Sequence, residues 1–133
     1  MTLEPSFLTY DEVVRIHIVQ IEMYGGSHGI REQGLLDSAL AMPQAGFGDS
    51  YLHKDVFEMA AAYLYHIAMK HPLIDGNKRT ATNAADVFLR LNRHRLTLSP
   101  DEMYDLVIGV CEGAVTKKAL AAAFRDNSAA FEE

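Results

Sequence analysis

The sequence predicts an all-α, single-domain bundle of about six helices. Three observations predict it: apolar residues recur at helical spacing through most of the chain, Thr9, Ser99 and Thr116 stand where helix caps belong, and strand-like alternation is confined to short stretches. With 133 residues, 49% of them hydrophobic, the chain reads as one ordinary domain, 1–133, able to bury its own core.

Thr9-Tyr10-Asp11-Glu12 has capping-box spacing, in which the threonine hydroxyl accepts from the Glu12 amide and Glu12 reaches back, so a first helix begins there. The following VVRIHIVQIEMY alternates around Arg15 to Ile18 as a strand would. Its length and its cap favour a helix ending at Gly25-Gly26. Six of the nine glycines fall between Gly25 and Gly48, which makes that segment mostly connection, interrupted by a short helix around Leu35 to Met42 that Pro43 stops.

From about Lys54 to Lys70, Phe57, Ala60, Leu64 and Ile67 keep the helical period, and His71 emerges at the end of that buried face. Pro72 disfavours helical dihedrals at His71 and ends the helix, while Gly76 permits a tight reversal. The next helix starts near Asn77 and runs to about Asn92, with Ala81, Ala84, Ala85, Phe88 and Leu91 as its buried stripe. HRLTL, from His94, reads as a short extended stretch. Ser99, Pro100 and Glu102 then supply N-cap, first-position proline and third-position glutamate for a helix to about Glu112. Thr116 caps a last helix through Phe124, and the tail after Asn127 is expected to fray.

A net charge of −6 and a pI near 5.4, with no run of five like charges, argue against direct nucleic-acid or anionic-membrane partners. The chain shows no cationic-then-apolar leader at Met1 and no apolar run near the ~20 residues of a membrane span, so a soluble cytoplasmic protein is expected. The single cysteine, Cys111, lies on an apolar helical stripe and is expected to be a buried structural thiol.

The stretch HPLIDGNKRTATN, His71 to Asn83, concentrates the chemistry. A helix start exposes unpaired amides and partial positive charge, so Gly76, Asn77 and Lys78 can present N–H groups to an anion. Lys78 and Arg79 add cations with no acidic residue one turn away, an arrangement that an anionic ligand would relieve. Asp75 is either the N-cap of this helix or a ligand of Mg²⁺. His71 is either a histidine at a helix C-terminus or a general base that takes a proton from a hydroxyl attacking phosphorus. Together they are the parts of phosphoryl or nucleotidyl transfer from a nucleoside triphosphate. There is no G-x-x-x-x-G-K-[ST], G-x-G-x-x-G or H-E-x-x-H, and His66 and His71 are five apart, off a common helical face for zinc.

This stretch resembles the Fic superfamily signature, H-x-F-x-[DE]-G-N-[GK]-R between two helices. More specifically, the chain is similar to the death-on-curing (Doc) toxins of type II toxin-antitoxin systems, with YGG, GIREQGLLDSALAMPQ and NKRTATNAADVFLRLN extending the likeness from Tyr10 to Glu112. The resemblance implies a Fic/Doc-like bundle using ATP and Mg²⁺, with His71 as base, Asp75 as metal ligand, and Asn77, Lys78 and Arg79, beside Gly76, holding phosphates. Fic proteins that transfer AMP usually have glycine where Lys78 stands, leaving room for a diphosphate. Lysine fills that room, as in Doc toxins, which implies the opposite nucleotide orientation, a presented γ-phosphate and protein kinase activity on translation elongation factor Tu.

Leu73 replaces the phenylalanine of the signature, keeping an apolar loop anchor with less volume. Gly76, alanine in some Doc proteins, does not separate the subfamilies. The self-inhibitory [ST]-x-x-x-E-[GN] element of many Fic proteins has no match, since Ile108 lies four before Glu112-Gly113. Inhibition is therefore expected from a Phd-like antitoxin whose C-terminal segment folds into a groove on the toxin. Two other readings stand beside the kinase: an AMP-transferase of the wider family, and a catalytically weak module that binds its antitoxin and operator complexes.

Overall fold

A computed structural model of the chain describes residues 4–132; residues 1–3 and 133, the ends of the expected domain 1–133, and with them the reading of Met1, lie outside it. Six helices dominate: α1 (Tyr10–Tyr24), α2 (Gln33–Ala41), α3 (Val56–Lys70), α4 (Asn77–Leu91), α5 (Pro100–Cys111) and α6 (Lys117–Asp126). Two small antiparallel pairs complete the fold, β1 (Gly46–Phe47) with β2 (Ser50–Tyr51) and β3 (His94–Leu96) with β4 (Ser128–Ala130).

The expected caps form. Thr9 and Ser99 each close a full capping box with Glu12 and Glu102, and Thr116 accepts from the Ala119 amide. Asp55, which sequence reading passed over, caps α3 by accepting from the Glu58 amide at 2.8 Å, and Arg125 of α6 clasps the same carboxylate at 2.8 Å.

α3 is the axle of the bundle. The sequence suggested one buried face, but Met59 to Leu64, Ile67 and Ala68 are all buried, because α2, α4, α5 and α6 surround it. Alanines at 60, 61, 62 and 68 let those neighbours approach closely. On α4 the expected stripe of Ala81, Ala84, Ala85 and Phe88 is buried, but Leu89 completes it and Leu91 is exposed.

Two further expectations are corrected. From Ser128 to Phe131 the tail is paired: β4 lies against β3 in the register Leu96 with Ser128 and His94 with Ala130, and Phe131 N–H donates to the Arg93 carbonyl at 3.0 Å. Small residues carry little strand signal of their own, and the partner lies far upstream. Cys111, at the last turn of α5, packs against the core but is only partly buried.

Where α6 meets α3, Lys117 Nζ lies 3.1 Å from His66 Nε2. Burial, with Lys117, Lys70 and His53 nearby, pushes His66 down to about 4 from its ordinary 6.5. His53 is buried, and burial and Lys117 lower it too, against the opposing pull of Glu58 and of the Pro43 backbone. The folded protein thus refuses protons that the unfolded chain accepts. Stability is therefore complete above about pH 6.5 and is lost as pH falls toward 4. Melting temperature measured from pH 7.5 to 4.5 should fall, His66 contributing ~1 kcal/mol by about pH 5.5, and His66→Gln should flatten that slope.

Candidate active site

The site is built where α3 ends and α4 begins. His71 takes the left-handed conformation, φ 48° and ψ 55°, at the C-terminus of α3. Such a conformation costs a non-glycine residue about 1–3 kcal/mol and persists only where its surroundings fix it. The surroundings here are residues 25–32, a strap running antiparallel to the loop. The Pro72 carbonyl accepts from the amides of Arg31 (2.8 Å) and Glu32 (3.1 Å), Ile74 N–H donates to the Gly29 carbonyl (3.0 Å), and Ile30 bridges Leu73. Arg31 also donates from Nε to the His71 carbonyl (2.7 Å) and from Nη2 to that of Lys70 (3.1 Å).

Inside the loop, Leu73 is buried, in keeping with its expected anchoring role. The Asn77 side chain closes on Leu73 from both ends, accepting its N–H at 2.9 Å and donating to its carbonyl at 3.0 Å. Asn77 therefore shapes the loop with its side chain, which leaves its main-chain amide at the open start of α4.

Asp75 does not cap α4. Gly76, at φ 73°, occupies the N-cap position, and no side chain caps the helix. Asp75 Oδ1 accepts from Gly76 N–H (2.9 Å) and Oδ2 from Ser27 N–H (3.2 Å). These bonds, with Arg79 and His17 nearby, hold its carboxyl below the ordinary range. The Gly76 amide, expected to serve an anion, is thus spent on Asp75. Those of Asn77, Lys78 and Arg79 have no partner among the described residues.

Beneath the loop, Ile21 and the buried His17 form a floor: a methyl group on Gly76 would lie 3.1 Å from Ile21 Cδ1. Burial lowers the pKa of His17, His28 adds to this, and Asp75 opposes it.

Neither cation at the start of α4 has an ion pair among the described residues. Arg79 rests its guanidinium 5.3 Å from the Tyr24 ring centroid and donates to the Gly25 carbonyl at 3.1 Å. Lys78 opens onto a groove of about 380 Å³ between α4 and α5, walled by Leu98, Met103 and Tyr104. The groove meets both cations but not His71 or Asp75.

No group of three or more His, Cys, Asp or Glu among the described residues forms a ready metal cage. Mg²⁺ needs none, since it is held by one or two carboxylates together with substrate phosphates and water. Asp75, charged, exposed and with each oxygen accepting a single hydrogen bond, fits that requirement.

The model of the Fic/DOC family matches residues 7–89. The chain belongs to the Fic/DOC family. Within it the chain is 34% identical over 115 residues to "Protein kinase doc" of Escherichia phage P1, covering 86% of this chain and 90% of that one. It is 42% identical over 78 residues to "Toxin Doc" of Mycolicibacterium smegmatis, covering 59% of this chain and 60% of that protein. The Doc resemblance of the sequence thus holds.

For this Fic/DOC chain the structure gathers His71, Asp75, Gly76, Asn77, Lys78 and Arg79 on one loop and helix start. Sequence reading missed the strap and the His17 floor. The signal for the strap was the glycines: Gly26 and Gly29 both have positive φ, and a methyl on either would strike the loop, Asp75 Oδ2 at 2.6 Å and Ile74 Cδ1 at 2.8 Å respectively. No helix among the described residues is long and apolar enough to cross a membrane.

Proposed function

We propose that this chain is a Doc-type toxin that transfers the γ-phosphoryl group of ATP to a protein hydroxyl, with translation elongation factor Tu as substrate by family resemblance. One observation carries the reading: three free amides and two unpaired cations at the start of α4 adjoin a loop presenting His71 and a charged Asp75. The phage P1 relative's name as a protein kinase supports it.

The hydroxyl oxygen bonds to the γ-phosphorus, the bond to the β–γ bridging oxygen breaks, ADP leaves, and the hydroxyl proton passes to His71. The Asn77, Lys78 and Arg79 amides and both cations hold the phosphate oxygens, and the groove beside Lys78 accommodates the nucleoside end. Asp75 is the residue that would hold Mg²⁺, which when bound neutralises charge on the triphosphate. The same reading takes a cognate Phd-like antitoxin as partner. Exposed Ile18, Val19, Met23 and Tyr24 on α1 supply apolar surface for its segment.

The nucleotide's sense is tested with ATP labelled at the γ or the α position, incubated in parallel with the chain, Mg²⁺ and elongation factor Tu. Label on the protein from γ alone is the expected result. Label from α alone would make the chain an AMP-transferase, and label from neither, with an intact and toxic protein, would leave the fold and the antitoxin partnership standing and show that elongation factor Tu is not the substrate.

A further inference from the structure

We infer that Arg31 is a positioning residue for the general base: its guanidinium closes the carbonyl end of α3 and fixes the backbone conformation from which His71 presents its imidazole. The inference rests on the proposed role of His71.

The His71 ring has no hydrogen-bond partner among the described residues, so the direction in which it leaves the chain and the rotamers open to it are set by its own backbone. That backbone is one of only two non-glycine positions with positive φ among the described residues. Residue 31 alone reaches three consecutive carbonyls across it. Nη2 takes Lys70 (3.1 Å), Nε takes His71 (2.7 Å) and the main-chain N–H takes Pro72 (2.8 Å). A planar fork satisfies two adjacent carbonyls at once, where an ammonium offers a point charge without that geometry. A cation at the carbonyl end of a helix is also favoured by the helix dipole.

Arg31 is poorly explained as a stabiliser of the fold. Its side chain is 49% exposed, and its one ion pair among the described residues, with the neighbouring Glu32, is 4.0 Å long. Its removal takes no buried side chain from the core. It unfastens the two carbonyls that flank the base.

The test compares Arg31→Ala and Arg31→Lys with the parent and with His71→Ala, reading γ-phosphoryl transfer, melting temperature and the amide and ring NMR signals of His71. Arg31→Ala should lower kcat about 10- to 100-fold, as a small misplacement of a reacting group does, with KM for ATP within about twofold and the fold intact. Arg31→Lys should fall between, guanidinium ion in solution should restore part of the alanine variant's rate, and the His71 signals should move while those of Lys78 and Arg79 stay. Parental kcat in Arg31→Ala, with His71→Ala inactive, would overturn the inference and leave the base standing. Full activity in His71→Ala would instead remove the base, and unmoved His71 signals would show that Arg31 does not hold it.

Discussion

Replacing His71 by alanine should lower phosphoryl transfer by about 10²–10⁴-fold, the usual contribution of a general base, without unfolding the protein. His71 is exposed at the end of α3, so its side chain adds little to the core. Its backbone, however, sits at φ 48°, and alanine tolerates that less well than asparagine does. The informative pair is therefore His71→Ala and His71→Asn. Both should be equally inactive, while the asparagine variant melts at or above the temperature of the alanine variant. Measured in single-turnover transfer alongside thermal melts, activity within tenfold of the parent in either variant would exclude the base role.

The second large effect is expected at a residue with no functional group. Gly26→Ala places a methyl 2.6 Å from Asp75 Oδ2 and 3.1 Å from Ile21 Cδ1, at a backbone φ of 114° that side chains rarely adopt. Something must move. The floor is packed core, so the exposed Asp75 is what yields, giving up the Ser27 amide that helps keep it charged. The variant should lose about 1–3 kcal/mol of stability from strain alone, and most of its transfer activity with it. Raising Mg²⁺ should recover part of that activity if Asp75 is the displaced group. A variant with parental melting temperature and parental Mg²⁺ dependence would show that the strap does not seat Asp75.

What the sequence revealed was local. Thr9 with Glu12, and Ser99 with Pro100 and Glu102, sit within one turn of each other, so the chemistry of each cap is written in adjacent letters. The reversal at Gly76 and the placing of the stretch from His71 to Asn83 between two helices were legible for the same reason, as were α3 and α4 from their periodicity. What stayed hidden depends on partners far along the chain. β4 is three small residues that become a strand only because β3 offers an edge. Asp75 could be read as a cap as well as a metal ligand because aspartate favours the cap position, but the glycine after it takes the left-handed cap conformation and turns the carboxylate toward Ser27 instead. The burial of α3 on all sides follows from four helices packing on it, which no periodicity within α3 could report.

The strap touches the loop between α3 and α4 and the start of α4 chiefly through main-chain atoms: the amides of Ser27, Arg31 and Glu32 and the carbonyls of Gly25 and Gly29. A peptide group makes the same bond whatever side chain it carries. Over evolutionary time the identities at Ser27 and His28 are therefore free to drift, so long as neither becomes proline at a donor position such as Ser27. Gly26 and Gly29 are not free, since their backbones, at φ 114° and 123°, strain any side chain. Lineages of this protein can thus diverge in the letters of this segment while inheriting its shape unchanged, with two glycines and one arginine marking where it passes the loop from His71 to Gly76.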